Sequence, residues 1–387
     1  MSGSRLRWLG VILGILGLAL MAWGAWSMPA AFFPAYLVAC LYWTEISVGA
    51  LALLMIHYLT GGAWGDFSRP ILRAAAALLP LLALLSIPLG FGLWHLYPWL
   101  TPGPELAELV QHKQPYLNVP FFLIRQAAIL GVWIILALLL GTWSRERNEP
   151  EATRRRRYRW SALGLILYGL TMTVFGIDWI MSLEPTWYST SFGLIAGVGP
   201  LVMALALAGL VKAALLRRRT DLSGEDRSHL QDLGNLLLAG LLLWSYLVFN
   251  QFLTIWSENL PDKIHWYLLR RERIWPWIAV ALAAFNLLLP FAALLSRRVK
   301  RTPGRLLTVA AIVLLGQALS VYWQVIPSFG LHYTEFFWLD LAAWVGIGGI
   351  WLVLFSWLLS RQSPAPAPLA PEPRVRIQSV SEVGVRS

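Results

Sequence analysis

The sequence is poor in charge and in the residues that bind redox cofactors. Only 13% of its 387 residues are Asp, Glu, Lys or Arg, whereas a soluble domain carries about 25%. A single cysteine, Cys40, excludes an iron–sulfur cluster held by this chain, an internal disulfide and a CxxCH haem attachment. Cys40 lies in an apolar run and is expected to be a small buried hydrophobic residue. Low charge together with 58% hydrophobic residues is typical of a protein that is embedded in a lipid bilayer.

Other cofactor patterns are lacking as well. A membrane b-type haem needs two axial histidines at matching depth, but His57 and His95 are expected near opposite membrane faces. The sequence has no H-E-x-x-H motif, no Cys/His metal spacing and no phosphate-binding loop. Gly61-Gly62 is interpreted as a turn, and the glycines at 346–349 as a helix-packing run. The chain is therefore expected to hold no redox centre of its own, so partners would carry any electrons.

What is present is a series of long apolar stretches. Ten are close to the ~20 residues that a spanning helix needs, which predicts an all-α integral membrane protein. Ten spans allow two four-helix bundles plus two peripheral helices. Residues 1–361 form the predicted membrane domain, and the Pro/Ala-rich residues 362–387 are predicted to be a disordered cytoplasmic tail. The predicted spans are 8–27, 34–59, 71–96, 119–141, 158–182, 190–214, 232–256, 274–296, 306–326 and 337–360.

Positive charge alternates between the loops. Of the 31 Lys and Arg residues, 25 fall on one side of the predicted topology and five on the other, and Arg125 lies within a span. The positive-inside rule then places both termini in the cytoplasm. This rule also accounts for the run Arg154–Arg157 and for the net charge of +11, without nucleic acid. Binding of anionic lipid headgroups to that run is compatible with it.

Polar residues within or beside the spans are the candidates for function, because charge in hydrocarbon is costly and rarely accidental. Most of them are expected in the outer half of the membrane, whereas His57 is expected near the cytoplasmic face. The candidates for a proton pathway or a quinone site are Glu45, His57, His95, Arg125, Asp178, Glu184, Gln251, Glu258 and Asp340.

Two of these candidates are expected to meet. Arg125 and Asp178 have similar predicted depths, and neither would stay charged alone in hydrocarbon, so an ion pair is predicted. Two roles for the pair stay open. It either serves only to hold the two helices together, or it forms a proton or quinol-headgroup site. Glu45 has no evident basic partner at its depth and is expected to be protonated, as in a proton relay. The alternative for Glu45 is a hydrogen bond to a neighbouring Ser, Thr or Tyr.

Five sequence strings over roughly residues 30–360 carry a resemblance to a known family. They are HYLTGGAWG (57–65), HLYPW (95–99), DWIMSLEPTWYSTSFG (178–193), DLGNLLLAGLLLWSYLVFNQFLTIWSENLPDKIHWYLLR (232–270) and YWQVIPSF (322–329). The segments at 178–193 and 256–261 are the most specific. Together they resemble the ActF-like membrane subunits of bacterial alternative complex III, which are related to NrfD-like membrane proteins.

The resemblance implies a place in a quinol:electron-acceptor oxidoreductase of the bacterial inner membrane. Expected partners are an ActC-like ten-span paralogue, an iron–sulfur protein and a multihaem cytochrome. It also implies that the paralogue is the better candidate for the quinol site, whereas this subunit supports assembly and could conduct protons or bind quinone. The family commonly has D-P-H-W-Y-S where this chain has Glu184-Pro185-Thr186-Trp187, so a role of that histidine does not carry over.

Two other functions stay open from the sequence. One is a stand-alone secondary transporter with Glu45, Arg125 and Asp178 along its path. Transporters often have broken helices and midplane sites, but the acids here lie off-centre and the prolines form no clear matched pair of breaks. The other is a purely structural subunit of the same respiratory complex.

Overall fold

Helices account for the regular secondary structure of the described residues, which are 3–142, 151–219, 221–330 and 336–362 of a computed structural model. Nine helical stretches in these ranges are long and apolar enough to span a membrane, and α1 adds a shorter apolar stretch, Gly14–Ser27. The protein is therefore an all-α integral membrane protein of about ten helices, as predicted. The helices are α1 Gly3–Ser27, α2 Pro29–Thr60, α3 Ala63–Ala76, α4 Leu79–Phe91, α5 Leu93–Leu96, α6 Pro104–Lys113, α7 Val119–Thr142, α8 Glu151–Trp179, α9 Phe192–Leu216, α10 Gly224–Glu258, α11 Pro261–Leu268, α12 Trp275–Ala283, α13 Leu289–Leu295, α14 Arg297–Arg301, α15 Pro303–Val325 and α16 Phe337–Arg361.

The spans pack as two four-helix groups with two helices outside them. The first bundle contains α2, α3–α4, α7 and α8, and the second contains α9, α10, α12–α13 and α15. Helix α1 lies along α16, which in turn packs on α2. A Cβ on Gly17 of α1 would lie 2.5 Å from the Gly346 Cα of α16, so small residues let these backbones approach closely. The glycines at 346–349 thus include a helix-packing contact.

Helix α2 is the central element of the fold. Its residues are buried without interruption from Pro34 to Met55, as expected for a helix that is apolar on all sides. A Cβ on Gly49 would overlap the carbonyl oxygen of Pro200 on α9. This close approach joins the two bundles, and it places Glu45, one helical turn away, near their contact.

The third span differs from its prediction. Residues 71–96 were expected, but the observed stretch runs over 63–91, with a turn between α3 and α4. Gly61 and Gly62 adopt positive φ angles of 72° and 98°, which suit glycine and turn the chain directly from α2 into α3. The early start was missed because the first turns of α3 carry polar residues.

Segments predicted to be cytoplasmic meet at one end of the helices, here called the His57 end. The Arg157 guanidinium lies 4.9 Å from the centre of the Tyr58 ring, and the Lys212 ammonium lies 4.2 Å from that of Phe67. The α2–α3 turn region is thereby joined to α8 and to α9 at this end. The opposite end is called the Asp178 end. The predicted disordered tail lies outside the described residues, apart from Gln362.

Candidate functional site

Asp178 is completely buried near the end of α8 and faces the start of α7. Its Oδ1 accepts hydrogen bonds from Arg125 Nη2 and from the Tyr116 hydroxyl, both at 2.9 Å. Its Oδ2 accepts from Arg125 Nε at 2.9 Å and from Gln126 Nε2 at 2.6 Å. The predicted ion pair is confirmed, and its geometry is a bidentate fork.

The partners of Asp178 are themselves fixed. The Arg125 guanidinium lies 3.9 Å from the centre of the Tyr116 ring and 4.4 Å from that of Phe121. Its Nη1 donates to the Tyr116 carbonyl oxygen at 3.0 Å. Gln126 Oε1 accepts a hydrogen bond of 2.6 Å from Trp179 Nε1. These contacts hold α7, α8 and the loop before α7 in one arrangement.

This saturation decides between the two interpretations of the pair. A carboxylate offers about four lone-pair sites, and protein donors occupy four at Asp178. A quinol hydroxyl has no acceptor left there, so the residues do not fit a quinol headgroup. The geometry favours a structural lock between α7 and α8.

Glu45 presents the opposite environment. It lies near the middle of α2, about 24 Å along the axis from Pro29 at 1.5 Å per residue. Its residue is only 8% exposed, and no described residue forms a hydrogen bond or ion pair with it. The helix starts five residues before the predicted span, which leaves Glu45 about midway along the helix.

The two tyrosines that interact electrostatically with Glu45 direct their hydroxyl groups elsewhere. The Tyr168 hydroxyl donates to the Gly197 carbonyl oxygen at 2.5 Å. The Tyr42 hydroxyl donates to the Leu314 carbonyl oxygen at 3.2 Å. The alternative of a hydrogen bond from a neighbouring hydroxyl is therefore absent among the described residues, and Glu45 is a buried acid without a fixed donor.

His57 lies near the C-terminal end of α2 and is 1% exposed. Its Nε2 lies 3.3 Å from Asp66 Oδ1, and its Nδ1 lies 3.3 Å from the Gly61 carbonyl oxygen. Arg69 Nη1 lies 3.5 Å from the same Asp66 oxygen. The half-exposed Asp66 carboxylate thus connects the buried imidazole to the surface at the His57 end. On α2 itself, only apolar residues separate His57 from Ser47.

Three further candidates lie apart from these groups. His95 is exposed and stacks on Phe33, with ring centres 5.3 Å apart. Glu258 is exposed at the end of α10. Asp340 begins α16 and interacts with Tyr322 of α15. The structure does not bring these three residues together with Glu45 or with Asp178.

Glu184 and Gln251 belong to a polar and aromatic cluster over the second bundle. Burial raises the pKa of the Glu184 carboxyl, whereas Ser328, His265 and Arg270 oppose that shift. Gln251 is buried, and its Oε1 accepts a hydrogen bond of 3.0 Å from the Ser189 hydroxyl. The cluster therefore contains an acid that holds its proton more tightly than one in water.

Arg270 is the centre of this cluster, which the sequence did not indicate. It is 4% exposed and donates to the carbonyl oxygens of Trp323 at 3.0 Å, Trp266 at 2.6 Å and Gln324 at 2.9 Å. Its guanidinium carbon lies 3.5 Å from the centre of the Trp266 ring. Burial lowers the pKa of the guanidinium and Glu184 raises it, but arginine stays protonated in proteins.

The sequence does not single out Arg270, because it lies beside Arg271 and Arg273 in a run that is typical of a solvated loop. Thr186 is half-buried, two residues after Glu184. Asp66 was missed because it fell outside the predicted spans. The useful signal there was its position nine residues after His57, across a Gly-Gly turn.

No group of three or more His, Cys, Asp or Glu residues in the described ranges is arranged to hold a metal ion. Comparison of the chain with protein-family models and with curated proteins gives no match.

Proposed function

We infer that this protein is a membrane subunit of a quinol-oxidising respiratory complex of the alternative complex III type in the bacterial inner membrane. It supports assembly of the complex and passes protons through Glu45. Partner iron–sulfur and multihaem subunits carry the electrons. The motif strings at 178–193 and 232–270 support the family, and the isolated buried carboxyl of Glu45 supports the proton role.

Glu45 carries this function because it combines burial with the absence of a fixed donor among the described residues. A carboxylate without a partner in an apolar interior favours its neutral form. A neutral carboxyl that protein donors do not hold can release its proton and take one up again. Asp178 lacks this property, because protonation of Asp178 would leave the Arg125 guanidinium without its charge partner.

The respiratory assignment is tested by purification. A tagged copy isolated from native membranes is expected to bring down a multihaem cytochrome, an iron–sulfur protein and a second ten-span protein. Isolation of the chain by itself under mild detergent conditions would refute this assignment, and it would favour a stand-alone transporter.

The proton role is tested in the assembled complex. Glu45→Gln keeps the shape of the side chain but removes the titrating group, so proton transfer per electron is expected to fall while the complex still assembles. Glu258→Gln is the matched control, because Glu258 is an exposed acid at a helix end. Unchanged proton transfer in Glu45→Gln would indicate that the subunit is a structural scaffold.

A further inference from the structure

A cavity of about 360 Å³ opens at the His57 end, between the start of α10 and the hairpin from α13 to α15. Among the described residues, five guanidinium groups and one hydroxyl group surround it, and no acidic side chain does. The residues that line it are Arg227, Arg297, Arg298, Arg301, Thr302 and Arg305.

Polar contacts between α14 and α10 build the wall of this pocket. Lys300 Nζ donates to Asn235 Oδ1 at 2.7 Å, and Arg301 Nε donates to Gln231 Oε1 at 2.6 Å. Residues 227, 231 and 235 follow at intervals of four and so share one face of α10. Arg227 therefore continues the stripe that holds α14 and lies directly at the cavity.

The positive charge in the pocket is not neutralised by described residues. Arg227, Arg297, Arg298 and Arg305 form no ion pair within the described ranges. The acids nearest to Arg227 in sequence are engaged elsewhere: Glu225 Oε1 lies 3.9 Å from His229 Nε2, and Asp226 Oδ2 lies 3.6 Å from Arg219 Nη1. Like charges gathered in one pocket repel each other, and a bound anion relieves that repulsion.

The pocket also lies where a lipid headgroup would be. Leu295 and Phe291, two and six residues before Arg297, are exposed by 60% and 38%, as expected for side chains that face acyl chains. The chain changes from this apolar face to the arginines at the end of the spanning stretch Trp275–Leu295. Guanidinium groups bind phosphate oxygens in bidentate pairs.

We propose that this arginine pocket binds the phosphate of an anionic phospholipid headgroup, whose acyl chains lie along α13. The five guanidinium groups supply the affinity for phosphate and the preference over zwitterionic lipids. The hairpin α13–α15 is thereby fixed to the start of α10. This binding site is independent of the respiratory function proposed above.

Native mass spectrometry of the purified, delipidated protein tests the assignment with added phosphatidylglycerol or phosphatidylcholine. Arg297→Gln/Arg298→Gln/Arg305→Gln is expected to weaken phosphatidylglycerol binding roughly a hundredfold, because each basic residue near a lipid surface contributes about a fivefold effect. The control Arg271→Gln/Arg273→Gln removes positive charge from exposed positions at the Asp178 end and is expected to leave this binding unchanged. A triple Arg→Lys variant at 297, 298 and 305 keeps the charge and is expected to bind more weakly than the wild type, because lysine lacks the fork.

Three results would overturn the assignment. The glutamine variant could bind phosphatidylglycerol as tightly as the wild type does, or the control could lose as much affinity as the pocket variant. Inorganic phosphate, added as a competitor, could displace the lipid as effectively as phosphatidylglycerol itself, which would identify soluble phosphate as the ligand. If the glutamine variant does not fold, the lysine variant provides the test instead. Binding of phosphatidylglycerol by that variant with wild-type affinity would contradict bidentate recognition by the guanidinium groups.

Discussion

Replacement of Asp178 by alanine is expected to destabilise the protein by about 3 kcal/mol, the lower end of the cost of breaking a buried ion pair. The change leaves the Arg125 guanidinium without its charge partner, and it removes the acceptor of Tyr116 and Gln126. The lower end applies because the Arg125 side chain is 10% exposed and keeps its bond to the Tyr116 carbonyl oxygen.

The double variant Arg125→Met/Asp178→Leu separates charge coupling from packing. Replacing a buried ion pair by apolar residues of similar volume is often neutral or stabilising. Most of the loss is therefore expected to be recovered, apart from about 1 kcal/mol for the unpaired Gln126 amide. The single and double variants together form a cycle whose coupling energy is expected to exceed about 2 kcal/mol.

The free energy of unfolding can be measured by titration with sodium dodecyl sulfate in mixed micelles, followed by tryptophan fluorescence. A structural lock requires a large loss in Asp178→Ala and recovery in the double variant. A loss below about 1 kcal/mol in Asp178→Ala, the mean of ordinary point mutants, would refute the lock. Additive losses in the double variant would show that the two charges do not stabilise each other.

Three other changes have defined outcomes in the same assay. Gly49→Val is expected to cost about 3 kcal/mol, because its side chain would overlap the Pro200 carbonyl oxygen. Gly131→Ala, with open space around the added Cβ, is the control and is expected to be neutral or stabilising by up to about 1 kcal/mol. Arg270→Lys is expected to lose about 2 kcal/mol, because an ammonium cannot reach all three carbonyl oxygens of the arginine site. The raised pKa of Glu184 means that the folded state keeps its proton to higher pH than the unfolded chain, so its stabilising contribution falls as pH rises through and above about 4.3. Glu184→Gln is expected to reduce that fall, and parallel pH profiles of the two proteins would contradict this expectation.

The spans were predictable because bilayer thickness sets the length of a spanning helix, and a stretch of that length can be recognised from its hydropathy by itself. The pairing of Arg125 with Asp178 was predictable for a related reason. Alternating helix directions give the approximate depth of each residue in a span. Two opposite charges at the same depth are expected to pair, because each is unfavourable alone in hydrocarbon. The Tyr116 and Gln126 donors were not predicted, because depth does not specify which side of a helix faces which neighbour.

Features that depend on loop conformation were not accessible in this way. Arg270 is buried only because α11 folds back over the end of α15, and nothing in its local sequence distinguishes it from Arg271. The π-helical segment Ala284–Leu288 was likewise not predicted. In that segment Asn286 Oδ1 accepts a hydrogen bond of 3.0 Å from Gln317 Nε2 of α15.

The two acids in the first bundle show why burial by itself does not identify a functional carboxylate. Asp178 and Glu45 are both almost fully excluded from the surface, yet one has four donors and the other has none among the described residues. A carboxylate held by four donors is stabilised in a single charge state, which suits a structural role. A carboxyl without donors changes its charge at the smallest cost in broken contacts, which suits proton transfer. The number of fixed donors therefore separates their roles, and it points to Glu45 as the residue where loss of function is expected without loss of assembly.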